Sequence, residues 1–268
     1  MLELIQITND PAFAQRCDAL GGFRLFVDLE RNGKAERQAG RNTFISTHQV
    51  DDVGRVKRAL RNSRLMVRVN PLHAGTAGEV DAVLAQGADL LMLPMFTTAR
   101  TLREFSALVA GRAPIVPLLE TAGALQSLDE WADTPGLQEI YVGLNDLHLS
   151  LGHRFMFQPL ADGTVERVAR AAKARGLRFG FGGIARLEEG LLPGRDVLAE
   201  HLRLGSGAVI LSRTFHRDDP DVVFEHEVQA LREVEAGLAS RTPPQVQADA
   251  RRIADAITGI SAGLAARA

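Results

Sequence analysis

Eight short apolar segments, separated by stretches with helical periodicity, constrain the fold of this chain more than any other feature of its sequence. The segments are dense in Val, Ile, Leu and Phe and mostly do not alternate with polar residues. This pattern is typical of strands that are buried on both faces of a parallel sheet. The segments are ELIQIT (3–8), FRLFVDLE (23–30), RLMVRVN (64–70), DLLMLPM (89–95), PIVPLLE (114–120), EIYVGLN (139–145), LRFGFGG (177–183) and GAVILSR (207–213).

The stretches between these segments have the residue spacing of amphipathic helices. One of them places four apolar side chains on a single helical face, namely Val50, Val53, Val56 and Leu60. Asp10 followed by Pro11 is a helix start signal. The repeated alternation of strand and helix predicts right-handed βαβ units that close into a single (β/α)8 TIM barrel, an α/β fold. An open doubly wound sheet is the alternative, but no GxGxxG motif follows the first segment.

Two further helical segments follow the eighth strand, so we expect one barrel domain over residues 1–268 with a C-terminal helical extension over about 219–268. The last segment follows a Pro-Pro pair and has an apolar face that includes Ile253, Ile257 and Ile260. This face needs a partner, either the chain's own barrel or a neighbouring subunit. We predict the second arrangement and therefore a homo-oligomer.

Composition excludes several classes of function. The formal net charge of −2 gives no electrostatic basis for binding nucleic acid or an anionic membrane. No apolar run approaches the roughly 18 residues of a membrane span, and the N-terminus lacks the basic region of a signal peptide. The single cysteine, Cys17, fits a reducing compartment. We therefore expect a cytoplasmic protein that acts on a small molecule.

Acidic residues follow two neighbouring strands of the predicted barrel. Glu120 ends PIVPLLE, and Asp146 follows the run EIYVGLN. Adjacent strands lie about 4.8 Å apart, and the carboxyl ends of barrel strands form the catalytic face. These two carboxylates can therefore share a Mg²⁺ ion, which prefers one or two carboxylates and takes its other ligands from water and substrate. The alternative is that each acid pairs with an arginine or caps the next helix.

Further charged residues are predicted at the same end of the barrel. The second strand ends in Asp28, Glu30 and Arg31, and the third carries Arg68 between two valines of VRVNP. Because side chains alternate along a strand, Arg68 points away from the side that those valines cover. A guanidinium there suits bidentate binding of a carboxylate or an enolate oxygen. The alternative for Arg68 is a buried salt bridge to Glu30 or Glu120.

The motifs VDLE, VRVNP, GADLLMLPM, PLLET and GLNDLHLS occur in this order over about residues 23 to 215. In order and spacing they resemble the HpcH/HpaI aldolase and citrate lyase β-subunit-like family of the phosphoenolpyruvate/pyruvate barrel superfamily. The resemblance implies a divalent-metal-dependent carbon–carbon lyase, an aldolase that acts through a pyruvate-like enolate on a small 2-oxo or hydroxy acid. A citrate lyase-like acyl-CoA lyase and a non-catalytic barrel that binds a small acid are the alternatives.

The resemblance also implies roles for individual residues. Glu120 and Asp146 would bind Mg²⁺ or Mn²⁺, and Arg68 would contact the keto and enolate oxygen of pyruvate. The backbone amides of Asn145 and Asp146 would receive the substrate carboxylate. The metal and Arg68 would together stabilise the negative charge of the forming enolate.

One position departs from the family pattern. The pyruvate aldolases of the family have a histidine directly after the glutamate of the second-strand motif, and the citrate lyase-like branch has an acid there. In this chain Arg31 follows Glu30. We place both residues at the substrate site, where Arg31 either binds a second anionic group of the substrate or pairs with Asp28 and Glu30. We favour the pairing.

Because Arg31 replaces the family histidine, the motif does not identify the residue that acts as general base. His48 in NTFISTHQVDD is a candidate because the unperturbed pKa of histidine is near neutral. The alternative is that His48 only caps or packs against the helix that starts there. His148 and His153, which follow the sixth strand, are further candidates.

Overall fold

A computed structural model describes residues 1–33, 46–216 and 223–266 of the chain. The strands are β1 (Glu3–Ile7), β2 (Phe23–Asp28), β3 (Arg64–Arg68), β4 (Leu90–Leu93), β5 (Ile115–Leu119), β6 (Glu139–Val142), β7 (Arg178–Ile184) and β8 (Ala208–Leu211). They pair in parallel and in chain order, and β8 pairs with β1 to close the barrel. The predicted (β/α)8 barrel is confirmed.

Helices surround the strands and continue beyond β8. They are α1 (Pro11–Leu20), α2 (Val50–Ala59), α3 (Thr76–Ala85), α4 (Ala99–Val109), α5 (Ala122–Gln126), α6 (Leu128–Trp131), α7 (Leu144–Ser150), α8 (Gln158–Ala161), α9 (Thr164–Ala174), α10 (Gly194–Leu204), α11 (Phe224–Ala239) and α12 (Pro243–Ala265). Asp10 caps α1 as predicted, because its carboxylate accepts a hydrogen bond from the amide of Ala12 (2.9 Å). Among the described residues, no helix combines the length and apolarity needed to cross a bilayer.

Apolar side chains pack on both sides of the strands. Those that face outward form the main core with the helices, and a second cluster fills the barrel: Ile5, Phe26, Met66, Leu90, Met92, Val116, Leu118, Tyr141 and Ala208. Within it, the hydroxyl of Tyr141 donates to the carbonyl of Gly182 (2.7 Å) and accepts from the amide of Ile210 (2.8 Å). The interior is therefore a packed core that links β6, β7 and β8.

A buried network of charges closes the amino-terminal end of the barrel. The fully buried guanidinium of Arg24 pairs with Glu139 at 2.7 Å and also with Glu3, and Arg178 contacts Glu3 at 3.0 Å. Burial alone would lower the pKa of Arg24, but the charges of Glu139 and Glu3 raise it. Because these charged groups pair with one another, they have a structural role at this end of the barrel.

Seven of the eight strands end before the last residue of the segment predicted from the sequence, and two of these ends bear on the predicted metal ligands. β5 ends one residue before Glu120, and β6 ends at Val142 because Gly143 is already the N-cap of α7. Asn145 and Asp146 therefore lie in the first turn of α7 and not at a strand end, which corrects the prediction. An acid is favourable in a first turn because of the helix dipole.

The C-terminal extension packs on the barrel of its own chain. Ile253 and Ile257 of α12 are both buried, and Arg252 of α12 forms an ion pair with Asp196 of α10 at 2.7 Å. The apolar face thus has a partner within the chain and no longer argues for a second subunit, so the homo-oligomer stays a prediction. The predicted extension includes residues 219–222 and 267–268, which lie outside the described residues.

Candidate active site at the carboxyl end of the barrel

An arginine and a set of acids meet where β2, β3, β5 and β6 end. Asp28 and Arg68 are the last residues of β2 and β3 and are paired in register. Glu30 and Glu120 follow β2 and β5 and are almost fully buried. Glu120 packs against Gly143, the N-cap of the helix whose first turn contains Asp146, and the charges of Arg68, Glu30 and Asp146 all act on its carboxyl group.

Arg68 is held mainly by Asp28. Its Nε and Nη2 atoms donate to the two carboxylate oxygens of Asp28 at 2.8 Å each, and Nη2 lies 3.4 Å from a Glu30 oxygen. The guanidinium lies over the ring of Phe26, 5.6 Å from its centroid. Burial works to lower the pKa of Arg68, but the charges of Asp28 and Glu30 raise it. Arg68 therefore stays positively charged, and its hydrogen bonds to Asp28 hold the guanidinium in place.

This arrangement leaves one nitrogen of Arg68 for another partner. The side chain is 15% exposed, and in the described part of the chain its Nη1 atom makes no hydrogen bond. The salt bridge to Glu30, which the sequence left as the alternative for Arg68, is present, but Asp28 is the bidentate partner, which sequence reasoning missed. The signal was available, because Asp28 ends the strand that pairs with β3.

The carboxylate of Glu120 lies in an environment that disfavours its charge. Burial raises its pKa to about 8; Arg68 works against this shift, whereas Glu30 and Asp146 add to it. One oxygen, Oε1, accepts a hydrogen bond from the backbone amide of Met95 (3.0 Å). Met95 has a φ of 56°, an unusual conformation for a non-glycine residue.

Glu120 and Asp146 fit a hard divalent cation. In the described ranges the Asp146 carboxylate makes no hydrogen bond or ion pair, so it is available as a ligand. Across the same residues, no three His, Cys, Asp or Glu side chains are grouped to hold a metal ion by themselves. A site with two carboxylates suits Mg²⁺, which keeps several waters and binds substrate oxygens. A cation there would also offset the repulsion that Asp146 exerts on Glu120.

His48 lies close to Asp28 and accepts a backbone hydrogen bond. The amide of Asp28 donates to Nδ1 of His48 (3.1 Å), so a neutral imidazole carries its proton on Nε2. Gln49, not His48, is the N-cap of α2. The buried imidazole is therefore oriented by the end of β2, and sequence reasoning had no means of predicting its tautomer.

Arg31 does not form the pairing that we favoured from the sequence. Its guanidinium donates to the backbone carbonyl of His48 (2.8 Å). The carboxylates of Asp28 and Glu30 form ion pairs with Arg68 instead. The physical reason is that the guanidinium of Arg68, from the neighbouring strand, already holds both acids. Arg31 itself is exposed at the rim.

The other two candidate histidines contact groups in and beyond α7. Nδ1 of His148 donates to the carbonyl of Leu144 in the same helix (3.0 Å). Nε2 of His153 lies 3.4 Å from a carboxylate oxygen of Asp162. Neither contact assigns these histidines a role in proton transfer.

Comparisons with known proteins agree with this architecture. The family model described as HpcH/HpaI aldolase/citrate lyase matches residues 7–185. A search of curated proteins gives no significant match.

Several solved structures share the fold at low sequence identity. A HpcH/HpaI aldolase/citrate lyase family protein from Burkholderia cenocepacia J2315 is 18% identical with a TM-score of 0.63, covering 89% of this chain and 95% of that one. The HpcH/HpaI aldolase from Desulfitobacterium hafniense DCB-2 is 16% identical with a TM-score of 0.60, covering 87% and 93%. The citrate lyase beta subunit from M. tuberculosis, complexed with oxaloacetate and magnesium, is 18% identical with a TM-score of 0.58, covering 87% and 96%.

Proposed function

The chain belongs to the HpcH/HpaI aldolase/citrate lyase family, and on that premise we propose that it is a divalent-metal-dependent carbon–carbon lyase. It acts through a pyruvate-like enolate on a small 2-oxo or hydroxy acid. The main support for this proposal is that Glu120, Asp146 and Arg68 lie together at one end of the barrel. Two acids suited to a cation lie there beside a guanidinium with one nitrogen available.

Glu120 and Asp146 would hold the metal, Mg²⁺ or Mn²⁺, since both ions prefer oxygen ligands. When bound, the ion supplies Lewis-acid stabilisation of negative charge on the substrate oxygens. The buried position of Glu120 excludes water from one side of the site. The citrate lyase beta subunit with oxaloacetate and magnesium supports this cofactor by likeness of fold.

Arg68 would bind the keto oxygen of the substrate through Nη1 and stabilise the charge that develops there. Asp28 fixes the plane of the guanidinium through two hydrogen bonds, so little reorganisation is needed when the enolate forms. Glu30, at 3.4 Å from Nη2, completes the support of Arg68.

The substrate carboxylate would lie at the start of α7, on the backbone amides of Asn145 and Asp146. These residues form the first turn of that helix, where amides have no partner within the helix. His48 would act as a hydrogen-bond donor through Nε2, because the Asp28 amide occupies Nδ1. A neutral imidazole in this state can polarise a carbonyl group but is a poor proton acceptor. Arg31, at the rim, is left to contact a second anionic group of the substrate.

Replacing Arg68 with Lys should slow enolate formation and leave metal binding intact. An ammonium group cannot make the two parallel bonds to Asp28 and also reach the substrate. We expect kcat to fall by about 100-fold or more, as for the loss of one oxyanion donor. Steady-state kinetics and Mg²⁺ calorimetry on the same variant check this, and weaker Mg²⁺ binding by Arg68→Lys would contradict the separation of roles.

Metal affinity should rise with pH. Because the pKa of Glu120 is about 8, a proton occupies this ligand near neutral pH and must leave when a cation binds. The apparent affinity should increase by about tenfold for each pH unit below 8 and level off above it. Mn²⁺ titrations between pH 6 and pH 9 measure this, and a flat profile would show that Glu120 is not the titrating ligand.

The citrate lyase-like alternative is kept because structures of that type share the fold. Calorimetry separates the candidates when Mg²⁺ is added first and then pyruvate, oxaloacetate or an acyl-CoA. Metal-dependent binding of pyruvate or oxaloacetate is the expected result. Binding of the acyl-CoA alone would favour the alternative, and no metal binding would favour a non-catalytic barrel. A cytoplasmic location remains part of the proposal.

A further inference from the structure

The carboxylate of Glu120 is confined from two sides. On the β4 side, Oε1 accepts the hydrogen bond from the Met95 amide (3.0 Å). On the β6 side, a Cβ atom at Gly143 would lie 2.8 Å from Oε2 and 2.9 Å from Cβ of Glu120. The Glu120 side chain thus occupies the volume that a side chain at position 143 would need.

Gly143 is required by space and not by backbone conformation. Its φ of −84° and ψ of 86° do not lie in the left-handed region that favours glycine. β5 and β6 pair Leu118 with Tyr141, so Glu120 and Gly143 are neighbours two residues further on. Because Cβ of Glu120 is fixed to the backbone, rotating the side chain would not relieve the contact at 2.9 Å. A methyl group at position 143 must therefore displace Glu120 itself.

Met95 provides an independent constraint through its main chain. Its φ of 56° is unfavourable for a residue with a Cβ atom. Such conformations persist where the surrounding structure fixes them, and they cluster at functional sites. Here the amide of the strained residue is the group that holds Oε1.

We propose that Gly143 and the Met95 amide are positioning elements for the metal ligand Glu120. The amide holds Oε1, and the absent side chain at position 143 leaves Oε2 on the side of β6, where Asp146 follows three residues later. Oε2 is then the oxygen that binds the cation together with Asp146. This inference rests on the proposed metal-dependent function.

The test measures Mn²⁺ affinity of the full chain by calorimetry, alongside the urea midpoint of each variant. Gly143→Ala should fold, because its backbone angles are open to alanine, and should bind Mn²⁺ about 10- to 100-fold more weakly, the usual cost of losing support around a metal ligand. Gly180→Ala is the matched control. Its Cβ would lie 2.7 Å from the Tyr141 ring and 2.8 Å from the Ala208 carbonyl, without touching Glu120.

The outcomes separate the inference from the proposed function. If the wild type binds Mn²⁺ and Gly143→Ala binds it equally well, the positioning role is wrong. If Gly180→Ala weakens Mn²⁺ binding as much as Gly143→Ala does, the effect is general strain and the inference also fails. A wild type that binds no Mn²⁺ would overturn the proposed metal site itself.

Discussion

Glu120→Gln should abolish metal-dependent turnover while the barrel remains folded. Glutamine keeps the size and one acceptor oxygen of Glu120 but removes the charge that a hard cation needs. Loss of a direct ligand should weaken Mn²⁺ binding by more than the roughly 10- to 100-fold that loss of an outer-shell partner costs. The fold should persist because the substituted side chain is neutral, as the Glu120 carboxyl with its pKa of about 8 already largely is at pH 7.

The control for this variant is the same chemical change away from the site. Glu233 of α11 is exposed and accepts a hydrogen bond from Gln229 (2.9 Å). Glu233→Gln should therefore leave metal affinity and turnover unchanged. Unimpaired turnover in Glu120→Gln would show that Glu120 is not the ligand.

Arg24→Ala should lower the free energy of unfolding by about 3–5 kcal/mol, the usual result of breaking a buried ion pair. The substitution leaves Glu139 buried, with Arg178 at 3.8 Å as its remaining cation. The change is at the opposite end of the barrel from Glu120, so the Mn²⁺ affinity of the folded fraction should stay the same. Urea unfolding followed by circular dichroism measures the stability.

The comparison for Arg24 is an ion pair on the surface. Arg16 pairs with Glu225 at 2.8 Å, and its side chain is 55% exposed. Arg16→Ala should cost at most about 1 kcal/mol. Equal losses in the two variants would mean that the buried network of charges at the amino-terminal end contributes no more than a surface contact does.

The barrel fold could be predicted from the sequence because the residue patterns that indicate it are local and repeat along the chain. Each buried strand is a run of apolar residues, and each helix has a stripe of apolar residues, so the count of eight units followed directly. Glu120 and Arg68 could be predicted as site residues for a related reason. A charged residue inside or directly after an apolar run is costly to bury unless it is paired or functional.

The features that sequence reasoning missed depend on contacts between distant segments. The choice of Asp28 as the partner of Arg68 follows from the register of β2 with β3. The contact of Arg31 with the His48 carbonyl depends on where the chain returns after β2. The strained φ of Met95 has no signature in the residue type. The packing of α12 on its own barrel was one of two arrangements that its apolar face allowed.

Proton exchange at C3 of pyruvate in D₂O tests the proposed enolate chemistry directly, because it requires no knowledge of the second substrate. The wild-type protein is incubated with pyruvate, with Mg²⁺ or with a chelator, and loss of the methyl proton signal is followed by NMR. We predict exchange above the buffer rate with Mg²⁺ and exchange at the buffer rate with the chelator, since in the proposed mechanism the cation and Arg68 stabilise the enolate while solvent takes the C3 proton and returns a deuteron. Exchange that stays at the buffer rate in the presence of Mg²⁺ would contradict the account.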